Sequence, residues 1–171
     1  WLRRHFPAEF LASLLNAQPM GFYPPASLVR DAARRGVRTR PPCIVRSDAH
    51  CTIDGDGTVR VGLGFIRGVG NAAHDVVAKR DRGGPFADLT DLAGRSGMTR
   101  EQLTALVRSG ACDSFERSRR GLLWELGTLA RPISTRHGQQ LPLPIQSALS
   151  PPLPEEGRFE RVVSDYETTG L

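Results

Sequence analysis

Apolar positions recur at helical spacing through most of the chain and predict a mainly α-helical fold. Phe10, Leu11, Leu14 and Leu15 share one face of a helix that begins near Pro7, and a second helix begins at Pro24-Pro25 and stops at Gly36. The same spacing, with glycine stops, predicts further helices over Leu63–Arg67, Asn71–Arg82, Phe86–Arg95, Thr99–Ser109 and Ser118–Ala130. Thr99 and Gln102 stand at capping-box spacing.

Residues 37–61 interrupt this pattern and predict a small antiparallel β element. Asp54–Gly57 has the composition of a tight turn, so Thr58–Val61 can pair back on Cys51–Ile53. Asp54-x-Asp56-Gly57 also resembles the start of a calcium loop, but no later glutamate closes a loop of the right length. A hairpin turn is the better interpretation.

Proline marks the last part of the chain. Six of the 13 prolines lie between Pro132 and Pro154, which predicts an extended linker after residue 130, with some helix regained over 155–171. Gln140–Leu143 resembles a sliding-clamp-binding peptide that lacks its final aromatic residue. A plain proline-rich linker is the favoured interpretation of that stretch.

Charge permits a polyanionic partner without demanding one. The net charge is +5, and the first 40 residues carry seven arginines against Glu9 and Asp31. Lys79 is the only lysine. Arginine favours bidentate contacts with phosphate, although GC-rich coding gives the same bias.

Cysteine usage and hydropathy indicate a cytoplasmic protein. Three cysteines show no disulfide framework spacing, and no stretch of the sequence approaches a membrane span or a signal peptide. Cys43, His50 and Cys51 are near in sequence, but without a Cys-x-x-Cys pair zinc is not expected. The carboxylates are scattered and form no pair suited to two-metal phosphoryl transfer.

Gly68-Val69-Gly70 separates two predicted helices in the pattern of a helix-hairpin-helix element. Glycines permit positive φ and close approach of the backbone to a ligand, and the next helix begins with N–H groups from which a DNA phosphate can accept. We predict the amides of Gly68, Val69, Gly70 and Asn71 as phosphate ligands. The supporting cations are predicted to be Arg67, Lys79 and Arg80.

A second unit of the same plan follows, and its turn at Gly97, Met98 and Thr99 is a weaker candidate for the same contact. An ordinary helix–helix turn remains an alternative for both hairpins. Gly68-x-Gly70-x-x-Ala73 also matches a dinucleotide fingerprint, but the segment after Gly84 is predicted helical where that fold needs a strand.

Several runs together resemble the α subunit of bacterial DNA polymerase III, a C-family polymerase. These runs are His5–Phe10, Leu15–Tyr23, Leu28–Ala32, Val45–Asp48, Gly62–Gly64, Arg67–Gly70 and Ser109–Ser114. The run Asn16–Pro25 is similar to the error-prone, ImuC-type paralogue. Cys112 departs from the family, which often has a larger apolar residue there.

The resemblance implies a layout: residues 1–60 as the end of the fingers domain, 61–130 as a tandem helix-hairpin-helix module, and 131–171 as a linker towards an oligonucleotide-binding domain. Both ends are then expected to be cut from a longer DNA-directed DNA polymerase. Its palm aspartates would hold magnesium outside this chain, which is expected to be inactive alone and to need no cofactor.

The implied partner is duplex DNA, bound without sequence preference during translesion synthesis in the bacterial cytoplasm, at the nucleoid. The sliding clamp and accessory proteins of the ImuA/ImuB type are further candidate partners. An alternative is a protein-interaction module of a translesion assembly without direct DNA binding. Asp75 and Asp81 flank Lys79 and dilute the basic rim, which gives this alternative weight.

Overall fold

The computed structural model describes residues 1–19, 23–129, 153–154 and 156–171. In these ranges the chain is mainly helical with a small three-stranded sheet, which confirms the predicted fold class. The helices are α1 Leu2–His5, α2 Pro7–Asn16, α3 Pro25–Ala33, α4 Ala72–Gly83, α5 Leu89–Ser96, α6 Arg100–Arg108, α7 Arg119–Thr128 and α8 Arg158–Thr169. The strands are β1 Thr39–Arg40, β2 Thr52–Ile53 and β3 Val59–Arg60. The clamp-like stretch Gln140–Leu143 lies outside the described residues.

Helix α2 anchors the amino-terminal part of the fold to the sheet. It begins at Pro7, as predicted. Proline is favoured there because the N–H that it lacks would have no partner within the first turn of a helix. Leu11 and Leu15 are buried in a small core that includes residues of β3. Asn16 then donates Nδ2 to the Cys51 carbonyl at 2.9 Å and accepts the Cys51 N–H at 2.7 Å. The end of α2 is thereby fixed beside the start of β2.

The predicted hairpin is present, and the sheet has one strand more than predicted. β2 and β3 pair antiparallel, with Ile53 opposite Val59. β1 pairs in parallel with the other edge of β3, with Thr39 opposite Val59. The purely antiparallel interpretation was therefore incomplete, because a two-residue strand is too short to show alternation of apolar and polar positions.

Arginine side chains pair with the aspartates of the Asp54–Gly57 turn. Asp54 accepts from Arg60 at 2.7 Å and also from Arg40, and Arg40 reaches Asp56 at 2.9 Å. The Arg60 side chain is only 7% exposed, so its charge is balanced mainly by Asp54. The hydrogen bonds from Arg60 and then Arg40 lower the pKa of Asp54 to about 2. The turn interpretation is confirmed.

Asp54→Asn is expected to lower the stability of the chain at neutral pH. Because the folded-state pKa of Asp54 lies below its unfolded value of ~3.9, its carboxylate stabilises the fold above that value. This contribution is lost as the pH falls towards about 2, so the parent and the variant should converge there. Urea midpoints at pH 7, 4 and 3 measure the difference.

Asp75→Asn is the control, since Asp75 is exposed and has no ion pair or hydrogen-bonded side chain among the described residues. A difference between Asp54→Asn and the parent that does not change with pH would contradict the assignment.

The larger core lies beneath helices α4 to α7. Leu63, Ile66 and Val69 enter it from the segment before α4, each at most 2% exposed. Ile44 and Ala49 join it from the loop between β1 and β2. The remaining buried members come from all four helices and the loops between them: Ala73, Val76, Phe86, Leu89, Leu92, Met98, Leu103, Leu106, Val107, Ala111, Cys112, Leu122 and Leu126. Both predicted hairpins therefore pack on the same hydrophobic core.

Cys112 lies fully buried in this core, at the position where the family often has a larger residue. Burial raises the pKa of its thiol, which stays protonated at neutral pH. The loop around Ile44 is fixed next to it, because the Ile44 N–H donates to the Ala111 carbonyl at 2.8 Å. The smaller side chain is thus accommodated without an exposed thiol.

Helix α8 packs back onto α6 and α7, and it provides the helix predicted near the end of the chain, over Arg158–Thr169. Arg119, at the start of α7 and 9% exposed, joins Asp165 of α8 at 2.6 Å and Asp113 at 2.8 Å. It also donates to the Arg108 carbonyl at 3.1 Å. This guanidinium fixes α8 against α6 and α7. The division into 1–60, 61–130 and 131–171 stays a prediction.

Candidate nucleic-acid interface

The first hairpin presents backbone on one side and apolar side chains on the other. A 3₁₀ turn over Leu63–Phe65 leads into Gly68 at φ 86° and Gly70 at φ 47°, and α4 begins at Ala72. Gly68, Gly70 and Asn71 are exposed, whereas Val69 between them is 2% exposed and anchored in the core. The two positive φ angles explain why glycine occupies both positions.

Three backbone donors of this hairpin have no acceptor among the described residues. Within the part of the chain that the structure describes, no acceptor bonds the N–H groups of Gly68, Gly70 and Asn71, which we call the open amides. The Val69 N–H, by contrast, donates to the Ile66 carbonyl at 3.0 Å. No side chain caps α4, and a Cβ at Gly68 or Gly70 would meet open space. The arrangement leaves unobstructed donors at the positive end of a helix dipole.

The three predicted cations lie in three different places. Arg67 belongs to the hairpin: its N–H donates to the Thr168 carbonyl at 2.8 Å and its Nη1 to the Glu167 carbonyl at 3.0 Å. Lys79 reaches the other hairpin, where Nζ donates to the Ser96 carbonyl at 2.8 Å. Of the three, Arg67 alone stands beside the open amides.

Arg80 is held inside the fold. Its side chain is 10% exposed and donates to the carbonyls of Ser47 at 2.6 Å and Ile44 at 3.2 Å. It also pairs with Asp81 at 3.2 Å and with Asp48 at 3.5 Å. Through these contacts Arg80 holds α4 against the loop between β1 and β2.

In the second hairpin, the side chains of Thr99 and Gln102 accept hydrogen bonds from backbone N–H groups at the start of α6. Gly97 has φ 67°, and Met98 is buried at 2% exposure. The predicted capping box is confirmed, since the Thr99 N–H donates to Gln102 Oε1 at 2.9 Å and the Gln102 N–H donates to Thr99 Oγ1 at 3.3 Å. Two donors at the start of α6 are therefore already satisfied, unlike those at the start of α4.

Positive side chains lie on α4 and α5 near this second turn, and Lys79 contacts it directly. A shallow depression of about 340 Å³ is lined by Lys79, Arg82, Gly83 and Arg95. Among the described residues, Arg95 is the one of these cations that is paired with a carboxylate, through Asp91 at 2.9 Å. At the second turn, positively charged side chains are therefore more available to a ligand than backbone N–H donors are.

A cleft of about 610 Å³ beside the first hairpin was not foreseen from the sequence. Arg67, His50, His74 and Tyr166 line it, together with Asn71. The two histidine rings meet edge to face with centroids 5.1 Å apart. These residues come from separate stretches of the chain, so no local pattern could have grouped them.

The described residues contain no group of three or more side chains suited to hold a metal ion. Cys51, one of the three residues considered for zinc, is buried and accepts the Gly62 N–H at Sγ, 3.4 Å away. Burial raises the pKa of this thiol. Among the described helices, none is both long and apolar enough to cross a membrane.

Comparison with known proteins agrees with this geometry. A family model described as a helix-hairpin-helix motif matches residues 36–122. Over its whole length the chain is 43% identical to a protein named error-prone DNA polymerase from Mycobacterium tuberculosis, and 38% and 36% identical to proteins of the same name from Burkholderia pseudomallei and Corynebacterium diphtheriae. It spans 15%, 16% and 16% of those relatives. The resemblance expected from the sequence is confirmed.

Proposed function

Because the chain belongs to the helix-hairpin-helix motif family, we propose that it binds the backbone of duplex DNA without reading the base sequence. The open amides carry this proposal. They form a donor set of three N–H groups that leads to the uncapped amino end of α4, and a Cβ at Gly68 or Gly70 would meet no neighbour within 4 Å. A phosphate is the DNA group that accepts from such donors and is favoured by the helix dipole.

The hairpin offers little that could distinguish one base from another. Gly68 and Gly70 have no side chains, and the Val69 side chain is buried. Arg67 and Asn71 remain, and Arg67 is already held at one guanidinium nitrogen by the Glu167 carbonyl. Contacts to phosphates position a protein on DNA but carry no sequence information. We therefore expect similar affinity for unrelated duplexes.

We assign unequal roles to the predicted site residues. Gly68, Gly70 and Asn71 provide donors, Arg67 provides charge, and Val69 anchors the hairpin in the core. Of the second turn, Gly97 provides a weaker contact, supported by the charge of Lys79, while Met98 anchors the turn in the core and Thr99 caps α6. Arg80 acts indirectly, by holding α4 in place.

The wider proposal is that this binding serves an error-prone DNA polymerase during translesion synthesis, at the bacterial nucleoid. It is supported by the name shared by relatives that match the chain over its full length. DNA synthesis, magnesium bound by palm aspartates, and the clamp and ImuA/ImuB-type partners belong to this wider proposal.

Salt titration of duplex binding tests the proposed contact. Few cations lie at the first hairpin, so the slope of log K against log salt is expected to be shallow, roughly −2 to −4. The dissociation constant should be weak, on the order of 10⁻⁴ to 10⁻⁶ M at physiological salt. Fluorescence anisotropy with three unrelated duplexes measures both quantities. A folded chain that binds none of them at low salt, or strongly prefers one sequence, would contradict the proposal.

A protein-interaction module is the second candidate function, and α8 favours it. Phe159, Val162, Val163 and Tyr166 follow helical spacing on this helix, and all four are exposed, Phe159 by 79%. Failure of DNA binding in the titration, together with capture of clamp or accessory translesion proteins by the chain, would favour this function.

A further inference from the structure

We infer that the cleft beside the first hairpin accepts an unpaired nucleotide of the DNA whose backbone lies on the open amides. The inference rests on the proposed function and adds a second kind of ligand contact to it. The cleft is bounded by the hairpin, by the segment around His50, by the carboxyl end of α8, and by residues at the end of α2 and the start of α3. Its volume of about 610 Å³ lies within the usual range for pockets that hold small organic ligands.

The lining of the cleft suits a ligand that is both anionic and aromatic. No carboxylate stands among the described residues that line it, whereas Arg67, His50 and His74 do. Tyr166, 57% exposed, and the half-buried Phe65 are the aromatic residues of the lining. Aromatic side chains bind unstacked bases through their faces, and such stacking tolerates any base. A nucleotide combines the required negative charge with a flat ring.

The cleft and the open amides form one continuous surface. Gly70 and Asn71 contribute N–H donors to the hairpin and also line the cleft. A phosphate bound at these amides therefore brings the attached nucleoside to the mouth of the cleft. Within the described residues the Asn71 carboxamide has no hydrogen-bond partner, so it can meet a base edge.

Tyr166 is held at the cleft before any ligand binds. Its neighbour Asp165 is fixed by Arg119 at 2.6 Å, and the next turn of α8 accepts the Arg67 N–H at the Thr168 carbonyl. These contacts fix the carboxyl end of α8 against the hairpin. A wall positioned in advance loses little conformational freedom when a base stacks on it.

The ligand must be unpaired because a base in a duplex presents its faces to its stacked neighbours. Only a nucleotide in a single-stranded overhang, or one extruded from the helix, can place a ring against Tyr166. The inference therefore predicts a preference for DNA in which duplex and single strand meet. One strand polarity is expected to be preferred, because Gly70 and Asn71 alone among the open-amide residues line the cleft and Gly68 lies outside its lining.

The test compares binding of the 171-residue chain to four DNAs at one salt concentration. These are a blunt duplex, the same duplex with a short 3′ overhang, with a 5′ overhang, and with an overhang of abasic sugars. One of the two base-containing overhangs is expected to bind about five- to ten-fold more tightly than the blunt duplex. The overhang of abasic sugars should bind no more tightly than the blunt duplex, because it adds phosphates without rings.

Tyr166→Ala is expected to remove the gain from the overhang while leaving affinity for the blunt duplex unchanged. Phe159→Ala is the matched control, since Phe159 is a more exposed aromatic residue of the same helix and lies outside the cleft lining. It should keep the gain. Circular dichroism establishes that both variants retain their helices.

Equal binding of blunt and overhang DNA would overturn the inference, as would a full gain with abasic sugars or in Tyr166→Ala. These outcomes leave the proposed phosphate contact intact if the blunt duplex still binds. Overhang binding without blunt-duplex binding would instead support the cleft and contradict the hairpin. Failure to bind all four DNAs would contradict both.

Discussion

Gly70→Val is expected to weaken binding of duplex DNA about ten-fold or more, because hydrogen bonds to a charged group are worth roughly 1.5–3 kcal/mol each. Gly70 has φ 47°, a conformation that β-branched residues resist. The substitution also places a branched side chain in the open space in front of the hairpin, where the phosphate would lie. The measurement is anisotropy of a labelled duplex with parent and variant at equal salt.

Gly36→Val is the matched control for the strain of this substitution. Gly36 has φ 84°, is exposed, and has open space at its Cβ position, but it follows α3 and not the hairpin. We expect it to cost stability and to leave DNA binding unchanged. If Gly70→Val keeps the helical circular dichroism of the parent and still binds DNA equally well, the phosphate contact at this hairpin is wrong.

Gly62→Ala is expected to have the largest effect on folding, a loss of about 2–4 kcal/mol in the free energy of unfolding. A Cβ at this position would lie 2.3 Å from the His50 carbonyl carbon and 2.6 Å from the Ala49 oxygen. Both are backbone atoms, so no flexible side chain can move aside. The neighbouring bonds from Leu63 N–H to the Asp48 carbonyl and from Gly64 N–H to the Ala49 carbonyl depend on the same close approach.

Gly55→Ala provides the comparison. Gly55 lies in the turn between β2 and β3, where an added Cβ would have no neighbour within 4 Å, and its φ is not positive. Replacement there should be neutral or slightly stabilising, because alanine restricts the unfolded chain. Urea unfolding of both variants measures the contrast. Equal stability of Gly62→Ala and the parent would show that the segment around His50 does not approach Gly62 as closely as described.

The ends of the helices were predictable because local chemistry determines them. Proline starts α2 and α3, Thr99 and Gln102 form their capping box, and glycine with positive φ follows α5 at Gly97. Each of these signals acts within four residues of the position it marks. The hairpins were found for the same reason, since the glycines between two helical patterns lie next to each other in sequence.

Contacts between distant residues were not predictable from one sequence. Arg80 looked like a free cation, but its acceptors at Ile44 and Ser47 lie 36 and 33 positions away. Tyr166 enters the cleft only because α8 returns to Arg67, whose guanidinium contacts a carbonyl 100 positions away. Helical spacing predicts that a residue lies on a helix, but it does not predict which distant carbonyl or ring that residue will meet.

Contact between the open amides and DNA phosphate can be observed by NMR titration of the ¹⁵N-labelled chain with a short duplex. The largest amide shifts are expected at Gly68, Gly70 and Asn71, with smaller shifts at Gly97 and none at Gly36. The shifts should be the same for two unrelated sequences and should diminish as salt is added. Shifts confined to other surfaces, or no shifts at the three amides while DNA is bound, would contradict the account.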